Sequence, residues 1–193
     1  MYLKKISLCA AIMLVLYGLL AGGFAVYKKF VPQQDDTKTP SVIVATESHD
    51  GTFTIEGQKT TLTRGISEVA AAPGSASKII TRYFGNDVAA DFDLDGRQDL
   101  AFIITQDRGG SGMFYYVVAL LNKASGTVGT KAALLGDRIA PQTLELSGKN
   151  TLIANFAERK KGEGFTVPPS VGTSMYLRLN ASSGVFEDVT SKQ

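Results

Sequence analysis

Between Asp91 and Leu100 the chain reads Asp-Phe-Asp-Leu-Asp-Gly-Arg-Gln-Asp-Leu, four carboxylates in nine residues around one glycine. Without a cation, four like charges this close repel one another and favour an open loop. The run that follows, Leu100-Ala-Phe-Ile-Ile-Thr105, is β-branched and apolar and reads as a strand. The fold must therefore mount a turn of concentrated negative charge on the end of a core strand.

Asp91, Asp93, Asp95 and Asp99 fall at positions 1, 3, 5 and 9 of a loop whose sixth residue is Gly96, where an EF-type calcium loop turns sharply; at position 7 Arg97 would offer its carbonyl. A hard cation such as Ca2+ takes six to eight oxygens at about 2.3–2.6 Å, and alternate short carboxylates supply them. Position 12 is Phe102 rather than a bidentate Glu, and a strand follows instead of a helix, so this is not a regular EF-hand. Two readings stay open at this point: a calcium loop, or an acidic, solvated turn without metal.

The segment resembles the calcium loops of FG-GAP (integrin-type propeller) and VCBS repeats, in which Asp-x-Asp-x-Asp-Gly-x-x-Asp-Leu leads straight into a strand. That resemblance implies Asp91, Asp93, Asp95, Arg97 through its carbonyl, and Asp99 as metal ligands. It covers at most about thirty residues in a single copy, where a propeller needs several blades, so a whole propeller is excluded.

The 193 residues suit one domain plus an appendage, and 44% hydrophobic content is enough for a core. Formal charge is +2, but Lys4, Lys5, Lys28 and Lys29 flank the N-terminal apolar segment; without them 16 basic residues face 18 acidic ones. The remainder is slightly acidic, which excludes a charge-based argument for nucleic-acid binding. The single cysteine, Cys9, rules out an intrachain disulfide and a cysteine metal cluster, and the bulky Leu8 before it departs from the small residue a bacterial lipobox requires.

Residues 1–29 form an N-terminal transmembrane anchor or a signal peptide. Ile6 to Tyr27 is a run of 22 residues without a charge, long enough as a helix to cross a hydrocarbon core of about 30 Å. Cleavage would use the shorter core from Leu8 to Ala21; retention would use the whole run, with Tyr27 and the lysines at the interface. The anchor reading is favoured, since the run exceeds a usual signal-peptide core. It implies a single-pass protein of the cell membrane with its C-terminal domain extracytoplasmic, where calcium is abundant; secretion after cleavage is the alternative. Residues 30–41, with Pro32 and Pro40, read as a linker reaching at most about 40 Å.

Residues 42–193 are expected to form a mainly β domain, an antiparallel sheet or sandwich or a partly open barrel. Thr52–Ile55 and Thr60–Thr63 alternate apolar and polar residues around Glu56–Lys59, a hairpin. A short helical turn is expected at Ser67–Ala71, a loop over Ala70–Ser77, and strands at Ile79–Phe84 and Val88–Phe92. Leu100–Thr105 and Met113–Leu121 are apolar on both faces and so call for cover on both sides. Further strands are expected at Lys131–Leu135, Thr143–Leu146, Leu152–Phe156, Met175–Leu179 and Val185–Val189.

Other candidates are weaker. Gly109-Gly110-Ser111-Gly112 is an anion nest or, more simply, a hairpin tip, lacking the lysine and helix of a P-loop. Glu158-Arg159-Lys160-Lys161 opens the longest irregular stretch, which runs to Gly172 with Phe165, Pro168 and Pro169; either it is a solvated loop whose prolines limit its freedom, or Arg159, Lys160, Lys161 and Phe165 are the candidate contacts for a cell-envelope polymer or protein. Asp137-Arg138 forms a structural ion pair or lines a cleft, the ion pair being favoured, and His49 reads as exposed. No Gly-x-Ser-x-Gly, HExxH, CxxC or dinucleotide fingerprint is present. From Thr52 to Val189 the succession of acidic loop, Gly-Gly-Ser-Gly with aromatics, and Leu-Gly-Asp-Arg also resembles secreted or membrane-anchored bacterial β-domain proteins, which implies an envelope location and a single domain but no activity. The expected function is therefore a binding or structural envelope domain steadied by calcium; the alternative is an envelope hydrolase acting on glycan or peptide, with the metal near its cleft.

Overall fold

Two strands with hydrophobic side chains on both faces occupy the middle of the fold. A computed structural model describes residues 49–190, in which twelve strands and no α-helix form. The expected anchor or signal peptide at 1–29 and the linker at 30–41 lie outside the described residues. In chain order the strands are β1 (Gly51–Ile55), β2 (Gln58–Leu62), β3 (Ile66–Ala70), β4 (Lys78–Ala90), β5 (Asp99–Asp107), β6 (Met113–Lys123), β7 (Gly126–Gly129), β8 (Ala133–Asp137), β9 (Ala140–Ser147), β10 (Thr151–Glu158), β11 (Val171–Asn180) and β12 (Val185–Asp188).

All strand pairings are antiparallel. One sheet runs β3-β4-β5-β6-β7 with β8 also on β6, a second runs β12-β11-β10-β9, and β1-β2 is a separate hairpin. Ala101, Ile103, Val117 and Ala119 point to one face of the first sheet and pack with Leu152, Phe156 and Leu177 of the second. Phe102, Ile104, Tyr116 and Val118 point to the other face and pack under Phe53, Ile55 and Leu62 of the hairpin. The continuous apolar runs of β5 and β6 thus follow from two cores sharing one sheet, as their composition predicts. Each fully buried Phe or Leu among them contributes about 1.5–3 kcal/mol.

The hairpin is tied to the sheet by a diverted segment. β7 pairs with the end of β6 and β8 with its beginning, while residues 130–132 between them reach β1 through Thr54 N–H to Thr130 O and Ala132 N–H to Thr54 O. Buried Thr130 stays on β6 through its hydroxyl, which accepts the Ala119 amide at 2.9 Å. At Gly129 the crossing is so close that a Cβ would stand 2.3 Å from the Thr52 carbonyl oxygen. At the far end of β2–β1, Glu56 of the turn, Arg108 and Tyr116 form a hydrogen-bonded knot. Burial, reinforced by the bond to Glu56, pushes the Tyr116 hydroxyl up to about 12.

Several local expectations are corrected. The β1–β2 turn is only Glu56-Gly57, both with positive φ (47° and 85°), because Gln58 and Lys59 pair with Ile55 and Thr54. Ser67–Ala71 is not a helical turn: Ile66–Ala70 is strand β3, held by its register on β4. The strands expected at Ile79–Phe84 and Val88–Phe92 are one, β4, which passes through an irregularity at Gly85–Asp87 and stops at Ala90. Lys131–Leu135 is split, with its beginning given to β1 contacts and its end to β8, and β7 was not expected at all.

Candidate metal site

The acidic loop joins β4 to β5, so its ends are fixed by neighbouring strands of the central sheet, where Ala90 pairs with Asp99. Phe92, its second residue, is wholly buried between the two sheets and meets Phe186 edge-on. The backbone on either side of this anchor is drawn inward. Asp91 Oδ1 and Oδ2 accept the amides of Asp95 (3.0 Å) and Gly96 (2.8 Å), and Asp93 Oδ1 accepts the Asp95 amide at 3.2 Å. The turn needs left-handed backbone at Leu94 (φ 61°) and Gly96 (φ 86°), which explains the glycine at the sixth position.

These bonds aim the carboxylates of Asp91, Asp93 and Asp99 at one point: one oxygen from each lies within 4.8 Å of the others. Two oxygens bound to one calcium ion at about 2.3–2.6 Å stand no more than about 5 Å apart, so this trio could hold a metal ion. Asp95 lies outside the trio. Its Oδ1 accepts the Arg97 amide at 3.0 Å and its Oδ2 the Arg97 guanidinium at 3.3 Å, on the exposed rim.

Asp99 is the buried member, only 2% exposed. Its Oδ2 accepts the Phe92 amide (2.9 Å) and its Oδ1 the Asn122 amide (2.8 Å), binding loop, β5 and the end of β6 together. Burial pushes its carboxyl above the ordinary value, the two amides pull it back, and the charges of Asp93 and Asp91 push it up again. The Asp93 side chain is fully buried, and its Oδ2 is paired with the ammonium of Lys123 at the end of β6. That ammonium is also 3.7 Å from Asp95 Oδ2. The contact with Asp93 holds the Lys123 pKa above its usual value. No spacing motif links Lys123 to the loop; only the β5–β6 register, with Leu100 opposite Leu120, carries the chain on to it.

The basic loop lies elsewhere. Arg159 organises it, donating to the carbonyls of Val167, Phe165 and Arg138. Phe165 remains 59% exposed but carries the Arg138 guanidinium 3.3 Å from its ring centroid. Lys160 and Lys161 are exposed beside it. Arg138 also forms an ion pair with Asp137, Nη2 to Oδ2 at 2.6 Å, while Asp137 Oδ1 accepts the Met113 amide. The pairing expected for Asp137-Arg138 is thus present. Met113 and Asn122 are at opposite ends of β6, so about 30 Å of strand separates this cluster from the acidic loop.

The remaining candidates resolve simply. Gly109–Gly112 is the β5–β6 turn, with the Gly109 amide held by Asp107 Oδ1. His49 is not an exposed residue: its ring stacks on Tyr83 at 3.6 Å, meets Phe102 edge-on, and has Nε2 2.8 Å from Asp87 Oδ2. Asp87 also accepts the Tyr83 hydroxyl. The β4 irregularity that delivers Asp87 had no sequence signature beyond Gly85-Asn86.

No protein-family model, curated protein or solved structure matches the chain.

Proposed function

We propose that this protein is a non-enzymatic, membrane-anchored domain of the cell envelope, its β domain extracytoplasmic and steadied by calcium in the acidic loop. The observation that carries the reading is the convergence of Asp91, Asp93 and Asp99 on one point at the end of the two-faced strand β5. Chemically the donor set suits a hard cation, all oxygen and strongly negative. Its placement suits a structural role, because Asp99 already joins three backbone segments that a bound ion would draw tighter. On this reading the exposed Phe165 with Arg159, Lys160 and Lys161 is the surface that meets an anionic envelope polymer or an acidic protein.

The rival reading, an envelope hydrolase acting on glycan or peptide, needs Arg138 and Glu158 beside the metal. Arg138 belongs to the cluster at the Met113 end of β6, where its amide donates to the Met113 carbonyl, while the Glu158 carboxylate accepts the Thr173 hydroxyl; the distance of Arg138 from the acidic loop supports the non-enzymatic reading. The test is thermal unfolding of the full chain in mild detergent, with calcium up to about 10 mM against chelator. Calcium at a hundred times its Kd adds about 2.7 kcal/mol of stability, and Asp93→Ala is expected to abolish that gain. A melt that ignores calcium in the natural chain overturns the proposed role of the loop.

A further inference from the structure

We infer that Lys123 is a tethered cation that occupies the acidic site in the absence of metal and must leave before calcium can bind. The inference rests on the calcium reading above and adds to it a means of setting affinity. Asp93 supplies the decisive observation: its side chain is fully buried, and the group that pairs with its Oδ2 is the Lys123 ammonium rather than a backbone donor. The same ammonium stands 3.7 Å from Asp95 Oδ2, so it spans a cluster member and the neighbouring carboxylate, as a metal ion would. A lysine is suited to this exchange. Its ammonium is a compact charge on a flexible stem, and 31% of the Lys123 side chain is already exposed, so the head group can swing to water without disturbing β6.

Two consequences follow from one charge competing with another. Without metal, Lys123 relieves the repulsion among Asp91, Asp93 and Asp99 and keeps the loop closed. With metal, its displacement subtracts from binding, so the site fills only where calcium is plentiful.

The experiment compares the full chain with Lys123→Met and Lys123→Arg, measuring calcium affinity by calorimetry and thermal unfolding in calcium and in chelator. Lys123→Met is expected to bind calcium at least about tenfold more tightly, because no paired ammonium has to be displaced from Asp93 before the ion enters. It should melt below the natural protein in chelator and close that gap in calcium, while Lys123→Arg stays near the natural affinity. Equal affinity in all three proteins, or a melting deficit of Lys123→Met that is the same with and without calcium, overturns the inference and leaves the calcium site standing. A calcium response confined to Lys123→Met supports the competing cation and overturns the calcium role in the natural chain. No calcium binding by any of the three overturns both.

Discussion

Asp99 Oδ1 accepts the amide hydrogen of Asn122 at 2.8 Å, while the other oxygen of the same buried carboxylate holds the amide of Phe92. The ninth residue of the acidic loop therefore has structural work that needs no metal. Asp99→Ala leaves the buried Phe92 amide and the part-buried Asn122 amide without their acceptor, at about 1–3 kcal/mol for a buried one, so a loss of about 3 kcal/mol is expected in urea unfolding with chelator present. Asp95→Ala, whose carboxylate is on the rim, should cost less than about 1 kcal/mol under the same conditions. Equal losses would show that Asp99 is not the joint between the strands.

Asp137 gives the fold a dependence on acid far from the acidic loop. The Arg138 guanidinium beside it, with help from the Met113 amide, holds its carboxyl below the ordinary 3.8. A depressed folded-state pKa contributes stability that is fully present above the unfolded value and is lost as pH falls through the folded one. Asp137→Asn is expected to lower stability at pH 7 by about 1 kcal/mol, discounted for its partial exposure. The difference from the natural protein should shrink below pH 3.8 as the natural carboxyl protonates. Chemical unfolding across pH 2–7 checks this; a difference that grows in acid has the wrong sign.

What the sequence made legible was what local chemistry decides. The carboxylate spacing and Gly96 marked the loop, and the unbroken apolar runs of β5 and β6 marked a sheet covered on both faces. What stayed hidden was decided by partners distant in the chain. Ile66–Ala70 is a strand only because β4 lies beside it, and His49 is enclosed by partners far along the chain, Tyr83 and Phe102 against its ring and Asp87 at its Nε2. Lys123 carries no sign of its role in its own neighbourhood. Register placed it there, and register depends on the length of the β5–β6 turn.

Leu94 is the loop's weak choice. It holds φ at 61° and leaves an apolar side chain 60% exposed, whereas asparagine tolerates left-handed backbone and hydrogen-bonds locally. Leu94→Asn should stabilise the chain by about 0.5–1 kcal/mol, a rise of about 2–5 °C in Tm. A fall in Tm would mean that Leu94 packs usefully in solution.

Gly129 tests how the β1–β2 hairpin is held. Here the glycine is required by space rather than by a left-handed turn: an added Cβ would meet the Thr52 carbonyl oxygen at 2.3 Å and the Phe53 ring at 2.9 Å. Backbone cannot yield as a flexible side chain does, so Gly129→Ala must push β1 from the 130–132 segment and open the core around Phe53. Overpacking of this kind costs about 1–3 kcal/mol, and the amides of Thr54 and Ala132 should lose protection in hydrogen exchange before those of β10. Gly172→Ala is the matched control, since nothing lies within 4 Å of its Cβ position in β11. If the two substitutions cost the same, the hairpin is not seated on Gly129, and the close approach of β1 to Gly129 does not limit the second core.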